Sequence, residues 1–196
     1  LNIMGGEVFN DELPDNILED YLKLTLEVHR HAESIGHHCT FNWVTNLIFN
    51  KTDRIHAFFD QLTAAGVTWN ISTSYDFAGR KTSLWNMETF RRNLDSFKGR
   101  VFTVGFVLTK PAIRHLISQK DEFFDYLYQN YPLYFDYYVP ENGANLNMPS
   151  DAEILEGFLY IAKNYPEISP VKDLIKNEQN KMTCYSLNKL TLLPDG

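Results

Sequence analysis

Two glycines followed by a carboxylate are the first residues in this chain whose types could do chemistry. Leu1-Asn2-Ile3-Met4 is a short apolar run, and it stops at Gly5, Gly6 and Glu7. This is the pattern of a buried parallel strand where it reaches a ligand. Glycines lack the Cβ that would hold a ligand off the backbone. Glu7 would stand at a strand's C-terminal end, where barrel enzymes keep their chemistry. An ammonium group is a natural partner for a carboxylate there. The same three residues also suit a strand-to-helix turn with an exposed Glu. Further polar residues fall where other apolar runs end: Asn46, Ser74 with Asp76, Thr109, and Pro140 with Glu141.

Those positions need a scaffold. Apolar residues recur at helical spacing from about Asp15 to Ser34 (Leu18, Tyr21, Leu22, Thr25, Val28, Ala32, Ile35), and Gly36 ends the run. Cys39 to Thr45 reads as a strand. Lys51 to Ala65 reads as a helix with Ile55, Phe58, Phe59 and Leu62 inward. Val67 to Ser72 is the next strand, and a loop from Thr73 to Lys81 follows. A helix spans about Asn86 to Phe97. Val101 to Leu108 is a near-continuous apolar strand of the kind buried on both faces. Pro111 opens a helix to about Gln129, and Leu133 to Val139 is the fifth strand. Ser150 and Glu153 form a capping-box pair for a helix to about Asn164, with Ile154, Leu155, Phe158, Leu159 and Ala162 inward. A short helix near Val171 to Asn177 and a strand from Leu187 to Leu193 close the chain.

Strand and helix alternate in units of roughly 30 residues, which implies α/β architecture, a parallel sheet and right-handed crossovers. No Gly-x-Gly-x-x-Gly turn supports a dinucleotide-binding doubly wound sheet. Polar strand ends that could converge favour a barrel or partial barrel.

Composition excludes several classes. The 196 residues suggest one domain, and 44% apolar residues supply a real core. A net charge of -7 gives no nucleic-acid footprint. No apolar run approaches the roughly 20 residues that span a bilayer. Cys39 and Cys184 give no disulfide framework, which fits a reducing, cytoplasmic setting. Both ends look cut, so a piece of a longer protein is expected.

His29-Arg30-His31 has the spacing of a barrel hydrolase motif, but on a helix residues two apart face different ways. A surface role is expected for the pair. Asp136 shares a strand face with Tyr134 and Tyr138, and either a substrate-facing or a structural role fits it.

Taken in order, three of these strand ends resemble the radical S-adenosylmethionine (radical SAM) family. Met4-Gly5-Gly6-Glu7 resembles its Gly-Gly-Glu motif, and Thr45-Asn46 its next-strand Thr-Asn pair. Ser74-Tyr75-Asp76 followed by Arg80 resembles its Ser-x-Asp and following Arg. The similarity covers about 1–164, with the motifs in register.

The resemblance implies a partial (β/α)6 TIM-like barrel lacking its first strand unit, with a core over 1–168. It implies an oxidoreductase that binds SAM beside a 4Fe–4S cluster and forms a 5′-deoxyadenosyl radical for hydrogen abstraction. Gly5, Gly6 and Glu7 would meet the SAM ammonium. Ser74 and Asp76 would lie near the ribose or carboxylate. Arg80 would pair with the SAM carboxylate. Asn46 would line the same face, and Val139 and Pro140 would sit near the adenine. A flavodoxin or ferredoxin would donate electrons. The family's Cys-x3-Cys-x2-Cys is absent from these residues; the resemblance places it upstream of Leu1, so the fragment alone should be inactive.

Cys184 to Gly196, a Cys before a strand that ends in Pro194-Asp195-Gly196, resembles the start of a SPASM or twitch extension, which would span 169–196. Cys184 would then be an auxiliary-cluster ligand, and such a tail leans towards a peptide or protein substrate. A buried free thiol fits Cys184 equally. The alternative reading of the whole chain is a non-catalytic barrel-derived binding or assembly module.

Overall fold

The computed structural model describes residues 1–4, 7–75, 87–119, 121–138 and 146–176. Among these residues five strands form one sheet: β1 (Asn2–Ile3), β2 (Thr40–Val44), β3 (Thr68–Ser74), β4 (Val101–Leu108) and β5 (Leu133–Tyr137); the strand expected over 187–193 lies outside the described residues. Their order in space is their order in sequence, and each neighbouring pair is parallel. A doubly wound sheet reverses its order at a switch point; this one does not. Right-handed crossovers in one direction put the helices on one face, an arrangement compatible with a partial barrel.

The helices are α1 (Asp15–Ser34), α2 (Thr52–Ala64), α3 (Met87–Ser96), α4 (Lys110–Ser118), α5 (Glu122–Asn130), α6 (Asp151–Asn164) and α7 (Val171–Ile175). Strand alternation sorts the side chains. Phe41, Trp43, Trp69, Ile71, Val104, Phe106, Leu108, Leu133 and Phe135 are buried towards the helix layer. Aromatic edges lock that interface, as where Trp43 meets Phe58 of α2 and Phe106 meets Phe124 of α5.

Several expectations change. The apolar run at 1–4 forms a two-residue edge strand, and Leu1 and Met4 are exposed. β3 runs on to Ser74, so Thr73 and Ser74 are strand and not loop. β4 is not buried along both faces: Val107, on the face away from the described helices, is 43% exposed, and Phe102, at the start of the helix-facing row, is 63% exposed. The helix expected over 111–129 is broken in two. Gln119 is extended, and Asp121 caps α5 by accepting from the Phe123 and Phe124 amides.

On α1 the buried residues are Leu18, Thr25, His29 and Ala32, whereas Ile35 is exposed. His29 is therefore not a surface residue, although His31 is exposed, so the two do face different ways. The capping box at Ser150 and Glu153 forms as expected. The buried face of α6 is shifted: Gly157 and Ile161 point inward, while Leu155 and Leu159 are exposed. After α6 the chain returns to the sheet. The Phe135 amide donates to the Ser169 carbonyl and the Ser169 amide to the Leu133 carbonyl.

Candidate functional site

Because every strand is parallel, all five C-terminal ends lie along one edge of the sheet. Glu7 stands there, just past β1, and its carboxylate reaches the end of β2. Oε1 accepts from the Thr45 hydroxyl at 2.6 Å and from the Phe9 amide at 3.2 Å. Oε2 accepts from the Asn46 amide at 2.8 Å. Phe9 explains why Glu7 is held: two residues on, it is 1% exposed and packs among Trp43, Phe49, Phe58 and Phe59. The core thus anchors the loop that carries the carboxylate.

The chain after β2 is equally fastened. Asn46 is exposed, and its side chain accepts from the Ile48 amide in an Asx-type turn. Leu47 is wholly buried at φ 58°, a left-handed conformation that a bulky side chain rarely adopts. The Leu47 amide donates to Thr45 Oγ1. Asn93 on α3 is completely buried and donates to the Leu47 and Phe49 carbonyls at 2.9 and 2.7 Å. Asp11 then accepts from the Asn50 and Lys51 amides and from the Asn50 side chain. Burial alone would raise the Asp11 carboxyl, but these hydrogen bonds outweigh it and hold it below its usual range.

The sheet face away from the helices is polar. Asn42 Nδ2 donates to Asn2 Oδ1, and Ser72 Oγ donates to Asn42 Oδ1, each at 2.9 Å. One row nearer the C-terminal edge, Ser74, Gly105 and Tyr134 stand in register. Asp136 follows opposite Val107, with the Tyr134 hydroxyl donating to its Oδ1 at 2.9 Å. Parallel sheets in finished domains are covered on both faces or closed into barrels. A face of this polarity, with no helix on it among the described residues, is compatible with a barrel lumen or ligand cleft.

Of the residues expected at the site, Glu7, Asn46 and Ser74 share this edge. Glu7 bonds directly to the Thr45-Asn46 pair, and Ser74 ends the next strand. Gly5, Gly6, Asp76, Arg80, Val139, Pro140 and Cys184 lie outside the described residues. Among the described residues no group of three or more His, Cys, Asp or Glu could hold a metal ion. Cys39 precedes β2, at the opposite edge of the sheet.

Sequence reasoning missed Asp11, Asn93 and Gly105. Asn93 had a visible signal, because it stands three residues after Phe90 on the inward stripe of α3. Asp11 lies in a short polar loop and gave none.

Among the described residues no helix is long and apolar enough to cross a membrane. Comparison of the chain with family models, with curated proteins and with solved structures finds no match.

Proposed function

We propose that this chain is the SAM-binding part of a radical SAM enzyme core. One observation carries the reading: two of the three resembling motifs touch, through the Glu7 carboxylate on the Thr45 hydroxyl and the Asn46 amide. A carboxylate offers roughly four acceptor positions. Three are engaged, and the one left on Oε2 suits an N–H donor such as the SAM ammonium. Exposed Asn46 and Ser74 supply further polar groups at the same edge.

The residues present fit SAM and do not fit its cluster. The chain has two cysteines, and neither arrangement nor number supplies three thiolates. In this reading those ligands stand in the part of the protein before Leu1. SAM bound to a reduced cluster would supply the 5′-deoxyadenosyl radical. This chain's own part is to bind, orient and exclude water. A peptide or protein substrate, an electron donor of the flavodoxin or ferredoxin kind and an auxiliary cluster at Cys184 belong to the same proposal. The second reading is a non-catalytic binding or assembly module on the same scaffold, which expects no such triplet upstream.

The test uses the natural full-length protein, reconstituted anaerobically and reduced with dithionite. The proposal expects SAM cleavage to 5′-deoxyadenosine, and SAM binding weakened at least about tenfold by Glu7→Ala. An upstream sequence without Cys-x3-Cys-x2-Cys, or an intact cluster that leaves SAM uncleaved, removes the enzyme reading and leaves the binding module.

A further inference from the structure

We propose that Tyr134, Asp136 and Gly105 form a seat for an ammonium or guanidinium group of the substrate. The word substrate rests on the function proposed above; the cation site itself does not. Asp136 is exposed on the face away from the described helices. Among the described strand positions of that face it is the one carboxylate, and no Lys, Arg or His stands there. The Tyr134 hydroxyl fixes Oδ1 from one side at 2.9 Å. Oδ2 has no hydrogen-bond or ion-pair partner among the described residues. A carboxylate held in place and lacking a cation partner is poised to take one from outside.

Gly105 is the independent observation. A glycine inside a strand weakens it and often marks the close approach of a ligand or another backbone. Packing among the described residues does not demand glycine here: of these a Cβ would meet only the Thr73 and Tyr134 carbonyl oxygens, at 3.7 and 4.0 Å. Its backbone is not in the left-handed region either, since the positive-φ glycines are Gly36, Gly66 and Gly99. What the missing side chain does create is space. Ser74 and Tyr134 flank Gly105 in register. Neighbouring strands lie about 4.8 Å apart, so a trough roughly 10 Å wide runs between their backbones. The Tyr134 ring walls it and Asp136 stands one row further along. A flat guanidinium or a small ammonium fits against the glycine floor with its N–H groups towards Oδ2.

The experiment is a titration of the ¹⁵N-labelled chain with methylguanidinium chloride and propylammonium chloride, read by amide chemical shifts against sodium chloride at equal ionic strength. The expected result is saturable shifts at Gly105, Tyr134 and Asp136, weakened at least about tenfold in Asp136→Asn. Gly105→Val, which suits a strand by propensity, should block the same shifts by filling the floor. Shifts that sodium chloride reproduces, or that survive Asp136→Asn, overturn the site. SAM cleavage is scored separately. Cation binding without cleavage removes the proposed function and keeps the site. Cleavage without cation binding does the reverse.

Discussion

Thr45 is the residue on which the edge geometry turns. Its hydroxyl donates to Glu7 Oε1 and accepts from the Leu47 amide, and the side chain is 4% exposed. One small group therefore orients the carboxylate and stabilises the left-handed Leu47. Thr45→Val keeps the shape and removes both bonds, leaving a buried amide and a carboxylate oxygen short of a donor. Such a loss costs about 1–3 kcal/mol. Chemical denaturation should show that drop, and an unchanged midpoint would mean Glu7 is held by Phe9 and Asn46 alone. The pairing itself could be anticipated at the level of type, since Glu7, Asn46 and Ser74 stand out as polar residues closing apolar runs. That Glu7 would bond across to β2 could not be. The contact joins residues 38 apart in sequence, and no local pattern encodes which strand lies beside which.

The pair α4 and α6 shows how an element is held and what it contributes. A Cβ on Gly157 would sit 3.1 Å from both Cγ1 and Cγ2 of Ile113, so the glycine permits close helix approach. Glu153 clamps the same pair: it closes the α6 capping box with Ser150 and bonds Arg114 of α4 through Nε and Nη2 at 3.2 and 2.9 Å. The Ser150 amide, then its hydroxyl, Arg114 and the charge of Lys110 hold the Glu153 carboxyl down to about 2. A carboxyl depressed on folding contributes stability that is full above its unfolded value of 4.5 and lost as pH falls from there towards about 2. Urea midpoints should therefore decline between pH 5 and pH 2.5, and Glu153→Gln should flatten that decline. An equal decline in the variant would assign it to other carboxylates. The capping box was legible because its four residues are consecutive. Asp121 caps α5 without a box, because Phe124 stands where the Glu would be, so the break between α4 and α5 had the weaker signal of a lone N-cap residue. The exposure of Leu155 and Leu159 was not legible, because apolar type marks what can be buried and not whether a neighbour covers it.

At the scale of the molecule, β1 is joined to the sheet mainly by its loop. β3 pairs along its length with β2 and β4, whereas β1 contributes two residues at the edge of the described sheet. The backbone links beside it include the Leu1 nitrogen on the Thr40 carbonyl and the Asn42 amide on the Leu1 carbonyl. Edge pairing with little apolar cover opens at low free energy, while central strands open near the global limit. The side-chain attachments are the Asn2–Asn42 bond and, beyond the glycines, Glu7 on Thr45 and Asn46. Hydrogen exchange should accordingly rank the Asn42 amide, bonded to Leu1, well below the Ile71 and Val104 amides, bonded to the Arg100 and Pro132 carbonyls. Glu7→Ala should speed exchange at Asn42 and Asn46 and leave Val104 unchanged, because the carboxylate acts on the β1–β2 edge alone. If Asn42 proved as protected as Ile71 and indifferent to Glu7, the carboxylate would not be the latch of that edge. Its one open acceptor position would then be the feature that best accounts for a glutamate there.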